Sequence, residues 1–352
     1  MTTHRIAVIA GDGIGKEVIP AGIAALEAAT RGTQVSLEFT HLPWGCEHYL
    51  VHQRMMDEDS FARLATFDAI YLGAIGAPGV PDRVSADLLL GIRRRFEQYV
   101  NLRPMRLLPG LTSPLANRGA SDIDMICVRE NTEGEYAGLG GRIHVGTPHE
   151  VAQQTAVFTR HGIERLVRYG FELASRRPRK MLASATKSNA LGFSMVLWDE
   201  VAEIVRQDYP SVDYRKYHVD ALAARMITHP QTLDVMVASN MFGDILTDIG
   251  SAISGSLGIA PGANINPERR FPSMFEPIHG SAPDIAGTGI ANPIGAIWAG
   301  AQMLDHLGHR DLHDRVLAAV ERVVASGKVR TPDLGGSSTT GQVADAIRSE
   351  LG

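Results

Sequence analysis

Short apolar runs recur along the chain, and stretches with helical spacing separate them. The runs typical of buried strands lie at 5–10, 68–72, 123–128, 180–185 and 233–238. Residues 35–40 alternate between apolar and polar, as in a half-buried strand. The stretches in which apolar residues recur every three or four positions lie at 17–30, 88–96, 162–175 and 193–207. Strands that alternate with helices predict an α/β architecture.

The composition is that of an ordinary globular protein. Of the 352 residues, 44% are hydrophobic and 21% are charged, which suits two domains or one large α/β domain. The net charge of −5 favours neither nucleic acid nor an anionic membrane as a partner. Neither a long apolar leader nor a membrane-spanning stretch is visible. We therefore expect a cytoplasmic protein.

The chain has only two cysteines, Cys46 and Cys127. Two thiols do not make a disulfide framework, and their spacing is not that of a metal-binding pair. Cys127 lies inside the apolar run 123–128. This position predicts a buried, inert thiol.

A glycine-rich segment, AGDGIGK at 10–16, follows the first strand and precedes a helix. Its spacing is G-x-G-x-G, whereas the dinucleotide-binding fingerprint places the third glycine one residue later. Lys16 is followed by glutamate rather than by serine or threonine, so the segment is not a P-loop either. The pattern favours a tight strand-to-helix turn over direct phosphate binding.

Three arginines occupy positions where an isolated charge would be costly. Arg93 shares a helical face with Leu89 and Phe96, while the next two arginines turn away. Arg103 and Arg129 stand at or near the ends of apolar segments. Guanidinium groups so placed need anionic partners, and their planar forks suit the two carboxylates of a dicarboxylic acid. Structural salt bridges are the alternative for each arginine taken alone.

Two aspartates follow the strand at 233–238. Asp244 and Asp248 are four residues apart and so project from one face of a helix. Their like charges favour a bound cation, and oxygen ligands suit Mg²⁺ or Mn²⁺. Asp220 is a candidate for a third oxygen ligand. The alternative is a solvated acidic helix face.

Six motifs spread over nearly the whole chain together resemble one family. They are IAGDGIGKE at 9–17, NLRP at 101–104, RENTEGEYAG at 129–138, TKSN at 186–189, SNMFGDIL at 239–246 and EPIHGSAPDIAG at 276–287. The family is that of the metal-dependent β-decarboxylating dehydrogenases, which include isocitrate, isopropylmalate, D-malate and tartrate dehydrogenases. Segments 98–104, 263–269, 271–275 and 331–336 resemble most the tartrate and D-malate branch.

The resemblance implies a two-domain α/β fold of the isopropylmalate/isocitrate dehydrogenase type, which is not a Rossmann fold. Residues 1–98 with 256–352 would form a large domain on the cofactor side. Residues 99–255 would form a small domain that carries the metal ligands and the dimer interface. The protein would be a homodimer whose active sites are shared between subunits.

The resemblance also implies roles for particular residues. Arg93, Arg103 and Arg129 would bind the substrate carboxylates. Tyr136 and Lys187 would be the catalytic acid–base pair, with Lys187 supplied by the partner subunit. Asp244 and Asp248 would bind Mg²⁺ or Mn²⁺ together with Asp220 of the partner subunit. NAD would lie against Asn189, Glu276, His279, Gly280, Ser281, Ala282, Asp284, Ile285 and Asn292. A need for a monovalent cation such as K⁺ is left open.

The helix around Arg93 bears on the substrate. Isopropylmalate dehydrogenases have a glutamate where this chain has Ala86, and isocitrate enzymes have an asparagine where it has Asp87. The implied reaction is NAD-dependent oxidative decarboxylation of a small 2-hydroxy dicarboxylic acid, either D-malate to pyruvate and CO₂ or oxidation and decarboxylation of tartrate. Two alternatives stand: a 3-isopropylmalate dehydrogenase of leucine biosynthesis, and a catalytically inactive relative that binds NAD as a regulatory subunit.

Overall fold

The fold is built on one mixed sheet of ten strands, with a separate two-stranded sheet beside it. The computed structural model describes residues 1–352. The strands are β1 (Thr2–Gly11), β2 (Val35–His41), β3 (Ala69–Ala74), β4 (Val100–Arg106), β5 (Asp124–Glu130), β6 (Gly134–Ile143), β7 (Val151–Val157), β8 (Met181–Thr186), β9 (Asp213–His218), β10 (Val235–Ala238), β11 (Pro261–Ile265) and β12 (Ser273–Pro277). The helices are α1 (Gly15–Thr30), α2 (Cys46–His52), α3 (Ser60–Leu64), α4 (Asp82–Arg95), α5 (Arg160–Arg176), α6 (Ser194–Arg206), α7 (Val219–Thr228), α8 (Asn240–Ile253), α9 (Ile294–His306), α10 (Arg310–Ser326) and α11 (Thr340–Leu351). The α/β class expected from the sequence is confirmed.

The large sheet consists of two parallel runs joined by an antiparallel centre. Its strand order is β2-β1-β3-β12-β11-β4-β5-β10-β8-β9. The strands within β2-β1-β3-β12 are parallel, as are those within β5-β10-β8-β9. The pairings of β11 with β12, of β11 with β4 and of β4 with β5 are antiparallel. Residues 101–104 therefore lie inside a central strand, and the sheet continues on both sides of them.

Both faces of the sheet are buried, which explains the continuous apolar runs. In β1, Ile6 and Val8 belong to a core of 67 buried residues, whereas Ala7 and Ile9 belong to a second core of 14. Successive side chains of a strand point to opposite faces, so a strand between two cores has no polar face. The strand predicted at 5–10 is confirmed on this basis.

The sequence pattern missed some boundaries and strands. Helix α4 begins at Asp82, directly after Pro81, rather than at residue 88. Four of the six residues before Leu88 are polar, so the apolar spacing starts only at Leu88. Strands β6 and β7 were not predicted, because they form an outlying hairpin with exposed apolar side chains such as Leu139 and Ile143. None of the helices has the length and apolar character needed to cross a membrane.

The glycine-rich segment forms a strand-to-helix turn, as predicted. Gly13 has φ +51°, and a Cβ there would lie 2.0 Å from the carbonyl oxygen of Ser281. The Ile14 amide donates a hydrogen bond of 2.9 Å to that oxygen. Asp12 accepts from the amides of Cys46 and Gly76, each at 2.9 Å. The turn therefore supports two loops beyond the strand ends.

Candidate active site

A cleft of about 410 Å³ lies over the antiparallel centre of the large sheet. Residues directly opposite each other in antiparallel strands share one face of a sheet. The register pairs Asn101 with both Arg129 and Asn264, and the Asn101 amide donates to the Asn264 side chain at 2.9 Å. Arg103 lies two residues further along the same face. These strands therefore present a polar patch at the floor of the cleft, although both faces of the sheet are otherwise largely apolar.

Arg93 reaches the cleft from helix α4. It is 7% exposed, whereas Arg94 and Arg95 are exposed, as the helical spacing predicted. Its guanidinium donates to the Glu276 carboxylate at 2.7 Å, and the Asn264 amide donates to the same oxygen at 2.8 Å. The anionic partner that a buried arginine needs is thus Glu276 at the end of β12.

Arg103 and Arg129 converge on Asp244 of helix α8. Their guanidinium nitrogens lie 3.3 Å and 2.5 Å from the same Asp244 oxygen. Thr247 accepts from Arg103 at 2.8 Å, and Asn240 accepts from Arg129 at 2.7 Å and 3.1 Å. Burial, followed by the charge of Arg103, lowers the pKa of Arg129 to about 9, which leaves it cationic at neutral pH. Burial opposes ionisation of Asp244, but the charges of Arg129 and Arg103 outweigh it and hold its pKa below the ordinary value.

Tyr136, on strand β6, is the third side chain that contacts Asp244, besides Arg103 and Arg129. Its hydroxyl donates to the second Asp244 oxygen at 3.1 Å, and the Arg129 guanidinium lies 5.7 Å from the centre of its ring. Burial and the negative charge of Asp244 raise the pKa of the Tyr136 hydroxyl. The hydroxyl therefore carries its proton at neutral pH and can donate it.

Asp248 lies one helical turn beyond Asp244, and its carboxylate has no hydrogen-bond or ion-pair partner in the chain. Burial, together with the charge of Asp244, raises the pKa of its carboxyl, although Arg103 acts in the opposite direction. A hard divalent cation would relieve the repulsion between the two carboxylates, so these residues fit Mg²⁺ or Mn²⁺. Within one chain, no group of three or more acidic, histidine or cysteine side chains lies close enough together to hold a metal ion. The chain by itself supplies two oxygen-donor residues.

Lys187 and Asp220 lie together but apart from the cleft. The Lys187 amine donates to Asp220 at 2.6 Å, and this hydrogen bond lowers the pKa of the Asp220 carboxyl. They follow β8 and β9, which lie two and three strands away from β5 and its Arg129. Neighbouring strands are about 4.8 Å apart, so the separation from Arg129 along the sheet edge is about 10–15 Å. Asn189, two residues after Lys187, is exposed and lies with this pair rather than with the other predicted cofactor residues.

The loop after β12 carries the remaining predicted cofactor residues. His279 and Gly280 line the cleft beside Glu276. The His279 Nε2 atom is buried without a hydrogen-bond partner, and burial lowers the pKa of the imidazole. Ser281, Ala282, Asp284 and Ile285 follow, and the Asp284 carboxylate is exposed. A buried unpaired imidazole nitrogen and a free carboxylate fit a polar ligand such as a dinucleotide.

Asn292 stands at the far end of this loop. Its amide donates to Asp333 at 3.0 Å, and Asp333 also accepts from Ser256 at 2.6 Å. The structure therefore brings together Arg93, Arg103, Arg129, Tyr136, Asp244 and Glu276, with Asp248 adjacent, and leaves Lys187, Asn189 and Asp220 elsewhere.

Sequence reasoning missed several supporting residues. Asn240 and Thr247 hold Arg129 and Arg103, and both flank Asp244 at helical spacing, which was the available signal. Asp12 and Asp333 hold loops through contacts that are distant in sequence. No local pattern marks those two residues.

Comparisons with known proteins agree on one family. The family described as isocitrate/isopropylmalate dehydrogenase matches residues 5–347. D-malate dehydrogenase (decarboxylating) of Escherichia coli (strain K12) is 56% identical over 355 aligned positions, which cover 99% of this chain and 98% of that one. Tartrate dehydrogenase/decarboxylase of Pseudomonas putida is 52% identical, with 99% and 98% covered. The crystal structure of isocitrate dehydrogenase from Methylococcus capsulatus superposes with a TM-score of 0.88 at 35% identity and covers 99% of each chain.

Proposed function

The chain belongs to the isocitrate/isopropylmalate dehydrogenase family, as its motifs predicted, and we propose that it oxidises and decarboxylates a small 2-hydroxy dicarboxylic acid with NAD and Mg²⁺ or Mn²⁺. The first substrates to consider are D-malate and tartrate, on which the relatives that are 56% and 52% identical are named to act. The fold of the family is confirmed by the isocitrate dehydrogenase structure.

One observation carries the proposal: three buried arginines share one cleft in which only two carboxylates balance them. Arg93 has Glu276, while Arg103 and Arg129 share Asp244. The Nε atoms of Arg93 and Arg103 find no acceptor in the chain. Guanidinium forks match carboxylates geometrically, so a dicarboxylate is the ligand that this arrangement favours.

We infer that the site is completed across a homodimer. Lys187 with Asp220 lies too far from Tyr136 within one chain, so the partner subunit would supply both. The surface beyond Lys187 carries exposed apolar side chains, including Phe193 at 96% exposure and Leu191 at 43%. The β6–β7 hairpin exposes Leu139, Ile143 and Val151 as well. Exposed apolar side chains of this kind are typical of an interface between subunits.

The roles follow from charge. When bound, NAD⁺ would supply the hydride acceptor, and Asp244 and Asp248 would hold a divalent cation that supplies a Lewis acid for the reacting oxygen. Lys187 would take the hydroxyl proton, either directly or through Asp220. Three aspartates (−3), Glu276 (−1) and a dicarboxylate (−2) would balance three arginines (+3), the cation (+2) and the nicotinamide ring of NAD⁺ (+1). Tyr136 returns a proton to the carbon that loses CO₂.

The cofactor loop favours NAD over NADP. Asp284 is exposed on the loop that begins at the cleft. Its carboxylate can accept hydrogen bonds from the ribose hydroxyls of NAD, and it would repel a 2′-phosphate. A kinetic preference of the unmodified protein for NADP would contradict this assignment.

The proposal is tested by following NADH formation with Mn²⁺ or Mg²⁺, with and without K⁺. The substrates are D-malate, the tartrates, 3-isopropylmalate and isocitrate. We expect turnover of D-malate to pyruvate and CO₂. The second candidate is 3-isopropylmalate, because Leu89 and Leu90 line the cleft beside Ala86 and offer an apolar wall. A kcat/KM clearly higher for 3-isopropylmalate than for D-malate would transfer the assignment to it.

The same assay separates an enzyme from an inactive relative. A regulatory subunit would bind NAD without oxidising any substrate in the panel. The chain keeps Tyr136, Lys187 and all three arginines, which supports an active enzyme. NAD binding without turnover under every metal condition would favour the regulatory alternative.

A further inference from the structure

Strand β6 is attached to helix α8 at two neighbouring residues. Glu135 accepts from the Met241 amide at 3.1 Å and lies 3.4 Å from the Ser239 hydroxyl. The next residue, Tyr136, donates to Asp244 of the same helix. Met241 and Asp244 are separated by about one helical turn, so the two residues of β6 bind to successive turns of α8.

Glu135 replaces a cap that the helix lacks locally. The first amides of an α-helix have no partner within the helix, and a preceding serine commonly accepts from one of them. Ser239 precedes α8 but its side chain caps no amide. The Glu135 carboxylate serves an amide of the first turn instead, where negative charge is also favoured by the helix dipole.

The side chain of the preceding acidic residue, Glu133, attaches the same segment to a different helix, while its backbone carbonyl accepts from the Asn240 side chain of α8 at 3.1 Å. Glu133 accepts from the Thr159 amide at 3.0 Å and from its hydroxyl at 2.6 Å, at the start of α5. Helix α5 carries none of the proposed site residues, whereas α8 carries Asp244 and Asp248. Glu133 is therefore a matched comparison for Glu135.

We propose that Glu135 is a positioning residue, which sets the Tyr136 hydroxyl against Asp244 by fixing the start of β6 to the first turn of α8. This inference rests on the proposed role of Tyr136 as proton donor. Tyr136 is 36% exposed, and its side chain has one hydrogen bond besides the contact of its ring with the Arg129 guanidinium. The three arginines that would bind the substrate, Arg93, Arg103 and Arg129, are carried by α4, β4 and β5, so substrate binding does not depend directly on this attachment.

The test is a double-mutant cycle with Glu135→Ala and Tyr136→Phe, measured as kcat and KM for D-malate with Mn²⁺. Displacing a catalytic group by about 1 Å can cost up to about 100-fold. We expect Glu135→Ala to lower kcat about 10- to 100-fold while the KM for D-malate changes less than about threefold. Glu135→Gln, which keeps an acceptor oxygen for the Met241 amide, should recover most of kcat. In the Tyr136→Phe background, Glu135→Ala should lower kcat less than about threefold further.

The controls separate positioning from folding and from the proposed function itself. Glu133→Gln should leave kcat within about threefold; an equal loss in this variant would overturn the proposal. Additive effects in the cycle would also overturn it, because Glu135 would then act independently of Tyr136. Full activity of Tyr136→Phe would instead remove the role of Tyr136, and the positioning role with it. If Glu135→Ala does not fold, Glu135→Asp, whose shorter side chain retracts from the Met241 amide, replaces it in the cycle.

Discussion

Asp244 and Asp248 are one helical turn apart on α8 but differ completely in their partners. Asp244 receives two guanidinium groups and the Tyr136 hydroxyl, whereas Asp248 receives none. The charges of Arg129 and Arg103 outweigh burial and lower the pKa of the Asp244 carboxyl, whereas burial raises the pKa of the Asp248 carboxyl. At the scale of single residues, therefore, one aspartate has a structural role besides any metal role, and the other does not.

This difference predicts distinct outcomes for Asp244→Asn and Asp248→Asn. Both should weaken Mn²⁺ binding at least about tenfold, since each removes a charged ligand from a hard-cation site. Asp248→Asn should leave the free energy of unfolding within about 0.5 kcal/mol of the original. Asp244→Asn should lower it by about 1–2 kcal/mol, because Arg129 loses its anionic partner. Calorimetric titration and urea unfolding measure the two effects. Normal activity and normal Mn²⁺ dependence in both variants would refute the metal site.

The two thiols give a second prediction at this scale. Cys46 and Cys127 are both fully buried, and burial raises the pKa of Cys46 and raises that of Cys127 to about 12. The reactive form of a thiol is the thiolate, so the native protein should not react with a thiol reagent at about pH 8. The denatured chain should react at both cysteines. Rapid labelling of the native protein would show that one of them becomes exposed.

At the scale of elements, the turn between β1 and α1 supports the cofactor loop. Gly13→Ala would place a methyl group against the Ser281 carbonyl oxygen, at a residue with φ +51°. We expect a loss of about 1–3 kcal/mol of stability and a rise of about tenfold or more in the KM for NAD, with a smaller change for D-malate. Gly32→Ala is the control, because Gly32 also has positive φ but has open space around it. Equal effects of both substitutions on the KM for NAD would contradict a specific contact.

Helix α9 carries a histidine that makes stability depend on pH. Burial, followed by the charge of Arg269, lowers the pKa of His306 to about 4. Between about pH 6.5 and pH 4, the unfolded chain binds a proton at this residue that the folded chain does not, so stability falls as the pH falls. From about pH 7.5 to about pH 5, His306 should account for about 2 kcal/mol of lost unfolding free energy. Over the same pH interval, the free energy of unfolding of His306→Gln should fall by about 2 kcal/mol less than that of the unmodified protein. Urea titrations at equal protein concentration measure this difference. An unchanged pH dependence in the variant would show that His306 is not the residue responsible.

The sequence was informative where one element decides the outcome and uninformative where two distant elements must meet. The helical spacing placed Arg93 on a buried face correctly, because only the geometry of α4 is involved. The partner of Arg93 is Glu276, 183 residues later, and that pairing depends on the order of strands in the sheet. The contact of Glu135 in β6 with the Met241 amide at the start of α8 likewise joins two elements that are distant in sequence. The family motifs predicted which residues matter, but not these contacts.

At the scale of the whole molecule, the separation of Lys187 from the cleft predicts complementation between inactive variants. Arg93→Ala and Lys187→Ala should each be inactive as homodimers. If the two are mixed equally, unfolded and reassembled, about half of the dimers are hybrids, and each hybrid has one intact site. About a quarter of the unmodified activity should return. Unmodified protein taken through the same cycle gives the refolding yield. Hybrids detected by mass spectrometry without activity above that of the parents would show that Lys187 does not act in the partner's site.

The pairing of β3 with β12 has a consequence for how the chain is made. Ala69 pairs with Ser273, 204 residues later (273 − 69). A ribosome that adds roughly 5–20 residues per second needs roughly 10–40 s to cover that distance. Strands β4, β5, β8, β9 and β10 all emerge within this interval and can pair with one another, while β3 waits with one edge open. If synthesis stops before Ser273, the central strands of the sheet can therefore be paired while the edge of β3 that normally binds β12 stays unpaired. Such a chain would be a substrate for chaperones and proteases.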